Sequence, residues 1–229
     1  MHNYTLFGGE NVDAVANCAV SAAAGRHNIR YRVLKRIADV SLSALALAVL
    51  WPFLLIIALG IVLDSPGAGP VFVQRRVGLG GKPFTMYKFR TMVPDAETLR
   101  RTLLDRNEMD GPVFKLKQDP RITRFGKLLR RSGLDELPQL VNVLRGEMSL
   151  VGPRPGLPEE AARYDALAMQ RLKVLPGITC YWQIQPSRNT LGFHEWMALD
   201  ARYIREQSLW TDCKILIATA AAVWRMDGQ

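Results

Sequence analysis

The chain holds one long apolar run, "VSLSALALAVLWPFLLIIALGIVL", 24 residues from Val40 to Leu63 without a charge. As a helix it would measure about 36 Å, against a hydrocarbon core of roughly 30 Å. A core helix of that length with no polar face would be unusual in a chain of 229 residues, so the run predicts membrane contact. It starts too far from the N-terminus for a cleaved signal peptide, and its exit, "DSPGAGP", is a turn cluster rather than a cleavage site. Beyond it, "VFVQRRV" and "PFTMYKFR" around "GLGGK" predict a β-hairpin. "DAETLRRTLLDRNEM" and "RITRFGKLLRRS" read as helices, the second with Ile122, Phe125, Leu128 and Leu129 on one face. "LDELPQLVNVLRG" predicts a short helix with Pro138 in its first turn and Gly146 at its end. "EEAARYDALAMQRLKVL" reads as a helix stopped by Pro176-Gly177, and "ITCYWQIQ" as a strand. "HEWMALDARYIREQ" and "SLWTDCKILIATAAAVWRM" complete the helices. Leu209, Trp210, Ile217 and Trp224 suit the last one equally to a membrane interface or a protein core. The pattern predicts a mainly helical α+β fold: a tail over 1–29, a membrane element over 30–64, and a domain over 65–229 containing the hairpin and amphipathic helices.

Two features bear on the path of the apolar run. Arg26, Arg30, Arg32, Lys35 and Arg36 precede it; Arg75, Arg76, Lys82, Lys88 and Arg90 follow it. Positive flanks favour the cytoplasmic side, and a straight span would send one of them across. Pro52, near the middle, removes a helix hydrogen bond and crowds the carbonyl of Ala48. The residues leave a kinked span and a re-entrant element both open, with the flanks favouring the second.

The formal net charge of +9 implies an anionic partner: nucleic acid, an anionic membrane surface or a phosphorylated substrate. No helix-turn-helix or aromatic-basic platform is evident, so nucleic acid is not expected. Cys18, Cys180 and Cys213 are scattered, as are His2, His27 and His194; neither a disulfide framework nor a zinc site is indicated.

Asp135 and Glu136 stand side by side within an arginine-rich stretch, with Arg121, Arg124, Lys127, Arg130 and Arg131 before them and Arg145 and Arg154 after. Their place ahead of the Pro138 helix, near guanidinium groups, favours ionised carboxylates. An ionised aspartate is a nucleophile for phosphoryl transfer, a second carboxylate can hold Mg²⁺, and arginine forks suit phosphate. The bland reading, a solvated acid pair on a basic surface, is left standing by this segment alone.

"KFRTM" (Lys88–Met92), "DPRITRFGKLLRRSGLDELPQLVNVLRGEMSLVGPRP" (Asp119–Pro155), "PGIT" (Pro176–Thr179) and "SLWTDCKIL" (Ser208–Leu216) closely resemble the bacterial sugar transferases, monotopic polyprenyl-phosphate phosphoglycosyl transferases, over about residues 30–229. The chain looks like their minimal catalytic form. The resemblance implies Asp135 as nucleophile and Glu136 as its Mg²⁺-associated partner, so that both carboxylates are candidate metal ligands. It implies Arg130, Arg154 and Arg188 as phosphate or substrate ligands, Asp200 as an acidic group near the site, Lys88 and Arg90 as phosphate-binding or structural, and Pro52 as the break of a re-entrant helix. Trp51, Cys180 and Pro186 depart from the family pattern, the last two near the substrate pocket. The implied reaction moves sugar-1-phosphate from a UDP-sugar to undecaprenyl phosphate through an aspartyl intermediate, releasing UMP. It would occur on the cytoplasmic face of the bacterial inner membrane, beside anionic inner-leaflet lipids, with a homodimer left open. The alternative is an inactive membrane scaffold of a polysaccharide assembly complex.

Overall fold

The apolar run folds within a single helix, α1 (Ile29–Asp64), in the computed structural model, which describes residues 29–185 and 190–225. Arg188, Pro186 and the tail with Cys18 lie outside the described residues. The expected helix-break-helix is corrected in one respect: helix continues through Pro52, so the proline removes one donor without dividing the element. Four residues of α1 are buried: Asp39 and Ser43 in its first half, Ile57 and Ile61 near its end. Between these contacts Leu45, Val49, Trp51, Leu55 and Ile56 are exposed.

Both ends of α1 dock on one body. At the start, Tyr31 Oη and Lys35 Nζ donate to Asp212 at 3.0 and 2.8 Å. Arg36 donates to the carbonyls of Val143 and Leu144 at 2.6 and 2.9 Å. It thereby satisfies the C-terminal carbonyls of α4 (Gln139–Arg145), where a cation also meets the helix dipole. Asp39 accepts from the Leu150 amide at 3.1 Å. At the far end, Ile57 and Ile61 pack with Phe89 and Leu129, and the Phe125 ring lies against Gly60.

The hairpin forms as expected, β1 (Val71–Val77) antiparallel to β2 (Pro83–Phe89), with Phe72 opposite Lys88. A short helix, α2 (Ala96–Thr102), follows. Helix α3 (Arg124–Ser132) is capped by Thr123, whose hydroxyl accepts from the Gly126 amide at 3.0 Å. Leu129 is buried and Leu128 is exposed, so the single apolar face expected there splits. A Cβ at Gly126 would collide with the Thr91 carbonyl; the glycine lets the chain leaving β2 cross α3 at backbone contact.

Ser149–Val151 (β3) and Gly177–Thr179 (β4) pair in parallel. The strand expected over "ITCYWQIQ" is thus confined to its first residues, with Tyr181 and Trp182 already in a turn. The long helix expected after Pro158 is also shorter: α5 covers Pro158–Ala161, and a separate 3₁₀ turn covers Ala168–Lys173. The Asp165 carboxylate accepts from the Ala168 amide at 2.8 Å, a local bond that starts the second turn afresh. Helices α6 (Phe193–Glu206) and α7 (Leu209–Trp224) close the fold, the latter capped by Ser208 and showing Trp210, Ile217 and Trp224 outward. Mixed and mainly helical, the architecture agrees with the sequence reading.

Candidate active site

Gly133, at φ +69°, ends α3 in a left-handed turn and swings the chain into a single 3₁₀ turn, Leu134–Glu136. The carboxylate pair therefore sits on a tight turn between two helices, with Pro138 opening α4. Asn142 on α4 fixes this turn against the hairpin. Its amide nitrogen donates to the Thr85 carbonyl at 2.6 Å, and its oxygen accepts from the Tyr87 amide at 3.1 Å. Lys88, next along β2, is thereby held at the height of the pair.

Glu136 takes the short ion pairs: its Oε1 accepts from Lys88 Nζ at 3.1 Å and from Arg154 Nη1 at 2.7 Å. Burial by itself pushes the Glu136 carboxyl up, but Arg154 and Lys88 outweigh it and bring it down to about 2. Asp135 is 8% exposed and behaves oppositely. Burial raises its pKa, the charge of Glu136 adds to the rise, and Lys88 and Arg130 oppose it. The expectation that surrounding cations ionise both carboxylates alike is thus corrected: they act mainly on Glu136, and Asp135 remains the more basic group. Burial, followed by the charge of Arg154, lowers Lys88 to about 8.

The pair opens into a cavity of about 480 Å³, of the size that holds small-molecule ligands. Lys88, Arg130 and Arg154 all line it, as does Arg90. Arg130 is oriented by Thr91, whose hydroxyl accepts from Nε at 2.9 Å. Arg90 is tied back to the Gly69 carbonyl at 2.8 Å and lies over the Phe72 ring. Arg121 is committed to Asp119, at 2.6 Å, and is structural. Asp200 is corrected to a place behind the wall. It is 2% exposed, with Oδ2 lying 2.8 Å from Nη2 of Arg171. That contact is a close but poorly directed charge pair, for neither carboxylate oxygen completes a hydrogen bond among the described residues. Burial pushes its carboxyl up to about 6.

Sequence reading missed Arg76 and Arg171, both of which line the cavity. Strand alternation could have found the first: Phe72, Gln74 and Arg76 share the partly covered face of β1. Arg171 is 8% exposed and also donates to Tyr164 Oη at 3.0 Å; no local pattern marks it. Cys180 is 1% exposed, its thiol pushed up by burial and donating to Gln183, so this family departure fills core space beside the cavity.

Mg²⁺ usually takes one or two carboxylates and completes its shell with water and substrate phosphate oxygens. Asp135 and Glu136 on one turn fit that mode. No cluster of three or more such ligands occurs among the described residues, so a fully protein-made cage is not the pattern.

The site thus combines a carboxylate dyad on a turn between two helices, a cavity with cationic walls, and, docked on the same body, a long helix with an exposed apolar middle. Residues 30–226 match the bacterial sugar transferase family, and the chain belongs to it. It is 46% identical over 161 residues to the galactosyl transferase CpsE of Streptococcus agalactiae serotype III, covering 70% of this chain and 36% of that protein. It is 39% identical over 201 residues to the undecaprenyl-phosphate galactose phosphotransferase of Salmonella typhimurium, covering 86% and 42%. Against the exopolysaccharide production protein ExoY of Rhizobium meliloti the identity is 40% over 194 residues, covering 82% and 84%. The chain thus spans less than half the length of the first two and most of the third.

Proposed function

We propose that the protein is a phosphoglycosyl transferase that moves sugar-1-phosphate from a UDP-sugar to undecaprenyl phosphate and releases UMP. The observation that carries this is the asymmetric dyad: Glu136 locked between Lys88 and Arg154, and the more basic Asp135 facing the same cationic cavity. Family membership and relatives named as undecaprenyl-phosphate sugar phosphotransferases support the substrate class. Asp135 is the nucleophile. Its carboxylate oxygen forms a bond to the β-phosphorus, the bond to the bridging oxygen breaks, and UMP leaves with the electron pair. The acceptor lipid's phosphate oxygen then attacks the same phosphorus and restores Asp135. Arg154, Lys88 and Arg130 hold the phosphates in line. Mg²⁺, held by Glu136 and Asp135, would neutralise diphosphate charge. Incubating the protein with a panel of UDP-sugars and undecaprenyl phosphate, with and without a chelator, tests the reading. UMP release dependent on both substrates and on Mg²⁺ is expected; absence of UMP across the panel leaves the inactive scaffold.

The pH profile checks the electrostatics. Lys88 is cationic below about 8 and neutral above it, so Glu136 loses one of its two cations as pH rises. kcat/KM is expected to fall through an alkaline limb near that value. Lys88→Arg should remove the limb, since guanidinium keeps its charge. An unchanged limb assigns the titration elsewhere.

The membrane reading is re-entrant, at the cytoplasmic face of the inner membrane. It is supported by α1, which docks both ends on one body and leaves an apolar middle containing Pro52 uncovered, with basic residues at both flanks. A crossing helix would part its ends across the bilayer. Cys213 is exposed on α7. An impermeant thiol reagent on intact spheroplasts is expected to spare both Cys18 and Cys213. Labelling of one alone would establish a span. Basic lead-in residues face anionic lipid headgroups in this placement.

A further inference from the structure

Part of the cavity wall is a stacked indole pair, Trp182 and Trp196, with ring centroids 4.3 Å apart. Another part is cationic, and its charges are unequally matched. Arg154 and Lys88 share Glu136, Arg121 has Asp119, and Arg171 lies against Asp200. Arg76 lines the same cavity, yet no carboxylate stands within ion-pair distance of it among the described residues. Glu160 and Glu159 attract it only from further off. Both are engaged elsewhere: Glu160 Oε2 accepts from the Leu157 amide at 2.8 Å, and Glu159 lies 3.6 Å from Arg100. What holds Arg76 is neutral. Its Nε and Nη2 donate to Gln74 Oε1 at 3.0 and 2.6 Å, and its Nη1 donates to the Pro155 carbonyl at 3.0 Å. Gln74 and Pro155 line the cavity as well, so the guanidinium is fixed between two wall residues. These bonds use three of its five N–H groups and leave two over. Strand alternation explains the arrangement. Gln74 and Arg76 share one face of β1, while Arg75 between them is exposed on the other. Burial, followed by the charge of Arg154, pulls the Arg76 guanidinium down to about 10. A half-buried cation beside a second cation, without a paired carboxylate, is completed by an anion.

We propose that Arg76, oriented by Gln74 and the Pro155 carbonyl, binds a phosphate group of the reaction together with Arg154. The inference rests on the phosphoryl-transfer reading above and adds a ligand-binding residue, Arg76, and a positioning residue, Gln74, to it. A guanidinium fork with N–H groups to spare matches the oxygens of one phosphate. The Pro155 carbonyl sets Arg76 beside Arg154, the preceding residue's own chain neighbour, and Arg154 reaches Glu136 at 2.7 Å. A phosphate held by both arginines therefore lies next to the dyad. Two groups carry that chemistry, the diphosphate of the sugar donor and the phosphate of the prenyl acceptor, and they are separable by experiment.

The experiment uses the full chain in detergent and compares Arg76→Gln, Arg76→Lys and Gln74→Leu with Arg75→Gln, which loses the same charge from the other face of the strand. Calorimetry at fixed Mg²⁺ measures binding of inorganic pyrophosphate and of farnesyl phosphate, and initial rates give KM for each substrate. Arg76→Gln is expected to weaken binding of one probe by roughly ten- to hundredfold, and Arg75→Gln to change neither by more than about twofold. Arg76→Lys keeps the charge without the fork and should lie between them. Gln74→Leu keeps the cation but frees it, and should weaken the same probe by about three- to tenfold. Weaker pyrophosphate with a raised KM for UDP-sugar puts the donor diphosphate at Arg76. Weaker farnesyl phosphate with a raised KM for undecaprenyl phosphate puts the acceptor there. Affinities and KM values all within about twofold of wild type in Arg76→Gln, or in the other two variants where Arg76→Gln does not fold, make Arg76 a structural residue and overturn the proposal. A wild type that binds neither probe at millimolar concentration overturns it as well. A wild type that binds pyrophosphate through Arg76 yet releases no UMP keeps the phosphate site and refutes the transfer reading instead.

Discussion

Asp135→Asn is expected to abolish sugar-phosphate transfer, by roughly 10⁴- to 10⁶-fold, while leaving the protein folded and membrane-bound. The geometry separates the two acids by task. Glu136 is pinned through Oε1 at 2.7 and 3.1 Å and held near a pKa of 2, which makes it a poor nucleophile and a firm electrostatic anchor. Asp135, raised by burial, keeps more basicity on its oxygens and faces the same cavity. Stability should not suffer. A carboxyl whose folded pKa lies above its unfolded value costs stability as pH rises past that unfolded value, roughly 3.9. At neutral pH the isosteric amide therefore removes an unfavourable buried charge, and the melting temperature should hold or rise. The covalent step has its own readout. Wild-type protein given UDP-sugar without lipid should gain the mass of one sugar phosphate, mapping to the peptide with Asp135; Asp135→Asn should gain nothing. Initial-rate lines for the two substrates should run parallel. Intersecting lines, with no adduct trapped at any donor concentration, would replace the two-step scheme by direct transfer.

What the chain discloses without a structure follows the range of each signal. The hairpin and the helix end at Gly146 are local, set by a few neighbouring residues, and each is where its pattern puts it. The dyad was legible for the same reason, since one stretch of chain contains it and two of its cations. The misread region, residues 158–173, had helical periodicity, yet the Asp165 side chain captures a backbone amide and the Tyr164 hydroxyl occupies the space a side chain at Gly156 would need. The first is a local side-chain competition with the helix and the second a tertiary contact, and together they override propensity. Arg171 and Trp182 come from other segments than Trp196 and Asp200, which share α6, and these segments meet only in the fold. Asp200 was placed near the site by the family resemblance, but its depth could not be read. Arg171 and the indole pair carry no local mark at all.

That depth makes a prediction about Asp200, which lies 2.8 Å from Arg171 and within 2% exposure. Arg171 reaches the cavity wall; Asp200 stands behind it and supplies the opposing charge, so it acts on the site only through Arg171. Two effects compete in Asp200→Asn. Removing a carboxyl that burial has raised to about 6 relieves the cost of charging it, a cost that sets in as pH rises from its unfolded pKa through that value. Against this, Arg171 becomes a buried cation without its counter-charge, and breaking a buried pair from one side costs about 3–5 kcal/mol. The second effect is the net outcome of such removals, so destabilisation is expected at pH 7.5, together with a flatter dependence of melting temperature on pH between 4 and 6. Activity should fall further than stability accounts for. An unpaired Arg171 is expected to leave its place at the cavity wall, and a guanidinium displaced by about 1 Å costs on the order of 10²-fold in rate. Arg171→Lys tests the same link from the other side: it keeps the charge toward Asp200, loses the fork, and should spare most of the melting temperature while losing kcat/KM. If Asp200→Asn lowers the melting temperature but leaves kcat/KM within about twofold at a temperature where the protein is folded, Asp200 supports the core alone and Arg171 has no part in holding the donor.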